Sequence, residues 1–303
     1  LKGIYKTNIV ENNYRLSWGQ LATLETPGLP SAPVLVALHG WLDNAASFIP
    51  LMESLPEYKW IAVDLAGHGH SNSRPGGNLR HLLSYMQDLW ELIALLGHEQ
   101  INLVGHSLGT GIAGVIAATQ PSQVNKLVLI DGMGPFSIDP EQLISTMSDG
   151  FSDHQSYTVR KELSGGFFSN SDQAIEHLCK RRNWPPSDST DSAESSHRAI
   201  ELIAQRQLKQ VGDQFQWAYD QQLKIKSALP FNHEQANAIY ENVMAQTLIF
   251  RFSEGPMHDT KIPWQQRLDA LKQKELIDLE GNHHLHMFAP EQLEAKIRDF
   301  IET

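Results

Sequence analysis

The chain has 303 residues, 41% hydrophobic and 19% charged, with 24 Lys and Arg against 35 Asp and Glu for a formal net charge of −11. This is globular composition with enough apolar residues for a sizeable core, and the negative balance argues against nucleic acid or an anionic membrane as the main partner, because both recruit clustered Lys and Arg. The single cysteine, Cys179, excludes an intrachain disulfide framework and Cys-based zinc or iron–sulfur sites, and no apolar run reaches the ~18–20 residues that span a bilayer. Leu1-Lys2-Gly3 does not open a secretory signal, so the expected location is the cytoplasm.

In chain order, two β-like stretches come first, residues 3–11 and 14–23, with Asn12-Asn13 as the expected hairpin turn. Pro33-Val34-Leu35-Val36-Ala37-Leu38 is a continuous apolar run, the mark of a strand buried on both faces of a parallel sheet. Similar runs recur at residues 60–63, 101–104, 127–130 and 247–250, with a weaker one at 275–279. Helix-like segments at 45–54, 79–96, 109–119, 263–274 and 290–301 separate most of them; in the second, Leu82, Met86, Leu89, Ile93 and Leu96 follow helical spacing. Alternating strand and helix signals predict a mostly parallel sheet of about eight strands flanked by helices. Between 130 and 247 the rhythm breaks into amphipathic helix patterns with no convincing buried strand. The expected organisation is therefore a core in two parts, residues 1–134 and 243–303, with a helical cap over 135–242 inserted after the sixth strand.

Gly105-His106-Ser107-Leu108-Gly109 carries the functional argument. A Gly-x-Ser-x-Gly pattern alone is weak, because its residues are common. Here it directly follows the strand at 101–104 and opens a small-residue helix, the placement of a nucleophile elbow in which a tight turn lifts the serine hydroxyl clear of the sheet. Ser107 is the expected nucleophile. A serine hydroxyl needs a base within hydrogen-bond reach, and in this architecture the order is Ser, acid, His. Gly281-Asn282-His283-His284-Leu285-His286 follows the last strand. His283, soonest after the Gly281 turn, is the expected base, with His286 a pocket or structural residue. Adjacent imidazoles also bind zinc, but no second cluster with ligand spacing accompanies them, so no metal and no cofactor is expected.

Three carboxylates can orient that imidazole: Asp131 at the end of the 127–130 strand, and Glu254 and Asp259 after the next one. The oxyanion hole needs two backbone N–H groups; Leu108, after the nucleophile, supplies one and Trp41, in His39-Gly40-Trp41-Leu42-Asp43-Asn44, the other. Asp43 and Asn44 read as caps of the following helix, and Asp64, His68 and Ser71 as residues bracing the loop after the 60–63 strand.

Leu38-His39-Gly40-Trp41, the 64–71 loop, Gly105 to Gly109 and Gly281 to His286, in this order, resemble the α/β-hydrolase superfamily. More narrowly, the 39–45 segment with Gly281-Asn282-His283 and His286-Met287 is similar to the serine hydrolase-like proteins. The resemblance implies Ser107, His283 and the Trp41 and Leu108 amides in the roles given above. It departs at the acid: many members carry Gly-x-x-Asp after the seventh strand, where this chain reads Arg251-Phe252-Ser253-Glu254-Gly255. Others place the acid one strand earlier, as Asp131 stands, so Asp131 ranks first, Glu254 second and Asp259 third. The expected function is a cofactor-free serine hydrolase cleaving a small-molecule carboxylic ester through an acyl-enzyme on Ser107. The alternatives are C–C, amide or thioester cleavage by the same residues, or a ligand-binding protein without catalysis. Phe151, Tyr157, Phe167, Phe168, Trp184 and Trp217 either line an apolar pocket or form the cap's own core.

Overall fold

A computed structural model describes residues 7–75, 81–160, 167–182, 184, 193–258 and 262–303. Eight strands form one sheet: β1 (Val10–Arg15), β2 (Gln20–Glu25), β3 (Val34–Leu38), β4 (Lys59–Val63), β5 (Ile101–His106), β6 (Val124–Ile130), β7 (Gln246–Glu254) and β8 (Lys274–Asn282). Their spatial order is β1-β2-β4-β3-β5-β6-β7-β8, antiparallel for β1 to β2 and β2 to β4 and parallel throughout the rest.

Alternation along the strands builds two cores, one on each face of the sheet. Val36 and Leu38, Ile61 and Val63, Leu127 and Leu129 point to one side. There they meet helices Leu82–Leu96 and Leu108–Thr119, through Leu89, Leu92, Ile112 and Ile116. Leu35 and Ala37, Trp60 and Ala62, Val128 and Ile130, Leu248 and Phe250 point to the other. That face is covered by Ile49–Ser54 and by the C-terminal helix Glu291–Glu302, whose Leu293, Ile297 and Ile301 form one apolar stripe. With both faces covered, β3 is buried at all five positions. Truncating a residue such as Leu35 or Phe250 to Ala removes about 2–5 kcal/mol.

The register decides where the loops emerge. Leu38 pairs with Gly105, Gly105 with Leu129, His106 with Ile130, and Ile130 with Phe250. The carboxyl ends of β3, β5 and β6 are nearly level and β7 runs on past them to Glu254, so the segments following these strands share one edge of the sheet, where open α/β sheets bind ligands.

The chain departs from the sequence reading at two places. Asn12-Asn13 lies inside β1 and is not the turn: Asn12 donates to Glu25 and Asn13 accepts from Gln20 across the hairpin, which turns instead at Gly19, whose carbonyl accepts from Leu16 N–H. Between β6 and β7 the helices Leu143–Arg160, Ser171–Arg182, Ala193–Gln207 and His233–Glu241 are joined by small sheets that the pattern did not reveal. Leu208–Val211, Gln214–Trp217 and Phe167–Phe168 form one, Ser137–Ile138 and Phe231–Asn232 the other. Strands of two to four residues are too short to show an alternation. No helix among the described residues is long and apolar enough to cross a membrane.

Candidate active site

Ser107 joins β5 to the helix Leu108–Thr119 with φ +50° and ψ −115°, a conformation that costs a non-glycine residue energy and that must be held by its surroundings. The hold is visible. Ser107 N–H donates to the Ile130 carbonyl (3.2 Å), and the Ser107 carbonyl accepts from Thr110 N–H (3.0 Å) and the Thr110 hydroxyl (2.6 Å). The flanking glycines are steric necessities: a Cβ on Gly109 would stand 1.9 Å from the Leu38 carbonyl oxygen, and one on Gly105 2.6 Å from that of Gly109. Only without those side chains can the helix start this close to β3.

Asp131, the first residue beyond β6, is fully buried with φ +46°. Its Oδ2 lies 2.6 Å from His283 Nδ1, and its Oδ1 accepts from Phe252 N–H (3.2 Å). A carboxylate can only accept, so His283 Nδ1 carries the proton and Nε2 is left as the basic nitrogen. The backbone carbonyl of His283 accepts from His106 Nε2–H (2.9 Å), so the second residue of the elbow motif pins the loop bearing the imidazole. Glu254, by contrast, is exposed at the end of β7, and Asp259 lies outside the described residues.

The loop after β3 is locked by two neutral imidazoles. His39 Nε2 accepts from Leu65 N–H (3.0 Å) while its Nδ1 faces the Gly40 carbonyl (2.7 Å); His68 Nε2 accepts from Leu42 N–H (3.2 Å). Burial lowers the pKa of both, that of His68 to about 3. Asp64 ties the same region together, accepting from Ala45 and His70 N–H and from Arg206. Trp41 rises from this loop half-exposed, its indole N–H donating to the Leu223 carbonyl (2.8 Å) across to the segment between β6 and β7. Trp41 and Leu108 both border the cavity that Ser107 faces.

Asn44 caps as the sequence suggests, its side chain accepting from Ala46 N–H, but Asp43 does not. Its carboxylate is buried and accepts from Arg182, with His284 Nε2 at 3.4 Å and His106 Nδ1 at 3.8 Å. Burial alone would raise its pKa; the Arg182 guanidinium, helped by His284, holds it well below the carboxylate range. His284 Nδ1 accepts from the Trp184 indole N–H (3.1 Å), which leaves the proton on Nε2 facing Asp43. Desolvation keeps this ring neutral, with its pKa near 4. Asp43, His106 and His284 present three ligand atoms within 4.8 Å of one another. Arg182 already donates to Asp43 and stands 3.2 Å from His284 Nε2, so the cation in this cluster is an arginine, and a metal ion fits only if that side chain leaves. Sequence reading missed this group because its members, Asp43, His106, Arg182 and His284, come from four distant segments. His286 packs against His106 with ring centroids 4.2 Å apart.

Two cavities meet at Ser107. One, of about 240 Å³, is bordered by apolar side chains including Leu82, Met133, Phe136, Leu229 and Trp264, and by Asp131. The other, of about 410 Å³, is bordered by Arg181, Arg182, His177, Gln207, His283 and His284. Of the aromatics singled out in the sequence, Trp184 and Trp217 are buried, with Phe168 packed on Trp217 at 5.4 Å, whereas Phe151 and Phe167 are exposed.

Residues 33–290 match the family model described as alpha/beta hydrolase fold. A serine hydrolase-like protein of Danio rerio is 25% identical over 291 residues, covering 94% of this chain and 86% of the relative. Serine hydrolase-like protein 2 of Homo sapiens is 25% identical over 308 residues, covering 97% and 94%. Among solved structures, a hypothetical protein of Pseudomonas aeruginosa PAO1 superposes with a TM-score of 0.82 at 27% identity, covering 96% of this chain and 98% of its own. With the family model spanning most of the sequence, and the sheet order and strand–serine–helix turn in place, the chain belongs to the α/β-hydrolase family.

Proposed function

We propose that this protein is a serine hydrolase that cleaves a carboxylic ester through an acyl-enzyme on Ser107, with His283 as base, Asp131 as its orienting acid, and Trp41 and Leu108 N–H as the oxyanion hole. The observation that carries the reading is the 2.6 Å contact between Asp131 and His283 Nδ1, with Ser107 held on a positive-φ turn at the same sheet edge. In the reaction the Ser107 hydroxyl oxygen attacks the ester carbonyl carbon while its proton passes to His283 Nε2. Asp131 stabilises the imidazolium that forms, and the two amides receive the negative charge on the former carbonyl oxygen. His283 then protonates the departing alcohol as the C–O bond breaks. Water, deprotonated by the same nitrogen, attacks the acyl-enzyme and releases the carboxylic acid with Ser107 restored.

Residues 135–242 act as a cap in this reading. They supply Phe136, Leu223, Leu229 and Phe231 to the apolar cavity and Arg181, Arg182 and Trp217 to the other. The test is hydrolysis of p-nitrophenyl esters from acetate to long acyl chains, with fluorophosphonate labelling in parallel, on wild type and Ser107→Ala. Turnover and stoichiometric labelling that both vanish in Ser107→Ala are the expected result. Labelling without ester turnover would move the substrate to a thioester, amide or C–C bond. The absence of both in the folded wild-type protein would overturn the hydrolase reading.

A further inference from the structure

The two cavities that meet at Ser107 differ in charge, and the difference specifies a substrate class. Ser107, Trp41, Phe136 and Pro256 border both, so a molecule bound across the nucleophile extends one arm into each. Among the described residues, the only carboxylate bordering the apolar cavity is Asp131, which is engaged with His283; an anion placed there would meet negative charge. Among the described residues, the second cavity is bordered by two guanidinium groups and one carboxylate, Asp43. Asp43 is matched by Arg182, which leaves Arg181 as the uncompensated charge. Arg181 is exposed, and among the described residues its guanidinium makes one hydrogen bond, to the Tyr219 hydroxyl at 3.4 Å. A guanidinium carries five donors in a planar fork that matches the oxygens of a carboxylate or phosphate. His177, one turn earlier on the same helix, and Gln207 add further polar groups to this wall. The chain as a whole carries −11, so a locally cationic cavity at the nucleophile runs against the protein's own field.

We propose that the substrate is an amphiphilic acyl compound with an apolar arm in the cavity of Met133, Phe136 and Trp264 and an arm ending in an anionic oxygen group that docks on Arg181. The inference rests on the serine-hydrolase reading for the reaction, while the anion site itself stands on the cavity and its charges. The test is therefore a binding measurement that requires no turnover. Octanoate, octyl phosphate and octanol are titrated calorimetrically into wild type, Arg181→Lys and Arg181→Glu, with thermal melts checking that each variant is folded. One or both anions are expected to bind at least about tenfold more tightly than octanol, and to lose about tenfold or more in Arg181→Glu with partial retention in Arg181→Lys. Tighter binding of octanoate assigns a carboxylate; tighter binding of octyl phosphate assigns a phosphate. Equal affinity for anions and octanol, or an anion preference unchanged in folded Arg181→Glu, would overturn the proposal. Absence of fluorophosphonate labelling alongside retained anion binding would instead remove the hydrolase reading and leave the anion site standing.

Discussion

Asp131 uses its two oxygens for different purposes: Oδ2 receives His283 Nδ1, while Oδ1 is anchored by the Phe252 amide of the neighbouring strand. Asp131→Asn presents an amide that stabilises the imidazolium no longer and favours the wrong tautomer, so kcat on p-nitrophenyl butyrate is expected to fall by about 10⁴-fold. Glu254→Gln, at an exposed strand end, is expected to stay within about twofold of wild type. A larger loss in Glu254→Gln than in Asp131→Asn would transfer the acid to Glu254. The same carboxylate gives Gly255 its meaning: a Cβ there would lie 1.9 Å from Asp131 Oδ2. Gly255→Ala must push the acid away from the imidazole, and about 100-fold in kcat is expected to go with it, with KM little changed. In the sequence Asp131, Glu254 and Asp259 are all strand-following acids, and only the family resemblance ranks them, with Asp131 first, Glu254 second and Asp259 third. Nothing local separates them, because which carboxylate meets His283 depends on the pairing of β6, β7 and β8, which places Asp131 Oδ2 beside His283 Nδ1.

The elements that position the site fall into those legible from periodicity and those fixed by contacts far apart in the chain. The buried runs of β3 to β7, the helix Leu82–Leu96 and the strand–Ser107–helix turn all announce themselves locally, since a parallel strand covered on both faces reads as a near-continuous apolar run. The tie between the helix Ser171–Arg182 and the loop after β3 does not. Arg182 and Asp43 are 139 residues apart, and nothing in the sequence around either one points to the other. Asp43 reads as a helix cap by its position beside Asn44, and only packing converts it into the counter-ion of an arginine delivered by another segment. Arg182→Met leaves that carboxylate buried with the His284 and His106 rings as its remaining neighbours. A loss of about 3 kcal/mol in urea unfolding is expected, and Asp43→Asn in the same background should recover much of it, because the cost lies in the unpaired charge. Strictly additive losses in the two variants would mean that the side chains act independently.

Across the whole molecule, five buried imidazoles — His39, His68, His106, His284 and His286 — are held neutral by desolvation, with pKa values near 3 for His68 and 4 for His284. In the unfolded chain they titrate near 6.5, so below that pH the unfolded state binds more protons and stability must fall. The contribution is fully present above about pH 6.5. For His284 it is lost progressively down to about pH 4, on the order of 3 kcal/mol. Thermal melts from pH 7.5 to 4.5 should therefore show Tm dropping steadily below 6.5; a flat profile would mean that the rings are already charged in the fold. Chain order adds a temporal constraint. The elbow lies at residue 107 and its imidazole 152 residues beyond Asp131, on the loop after the last strand of the sheet. With the roles proposed above, a nascent or half-refolded polypeptide would present Ser107 without the imidazole that activates it. Reactivity toward a fluorophosphonate should arrive last during refolding, as a chemical clock for the docking of β8.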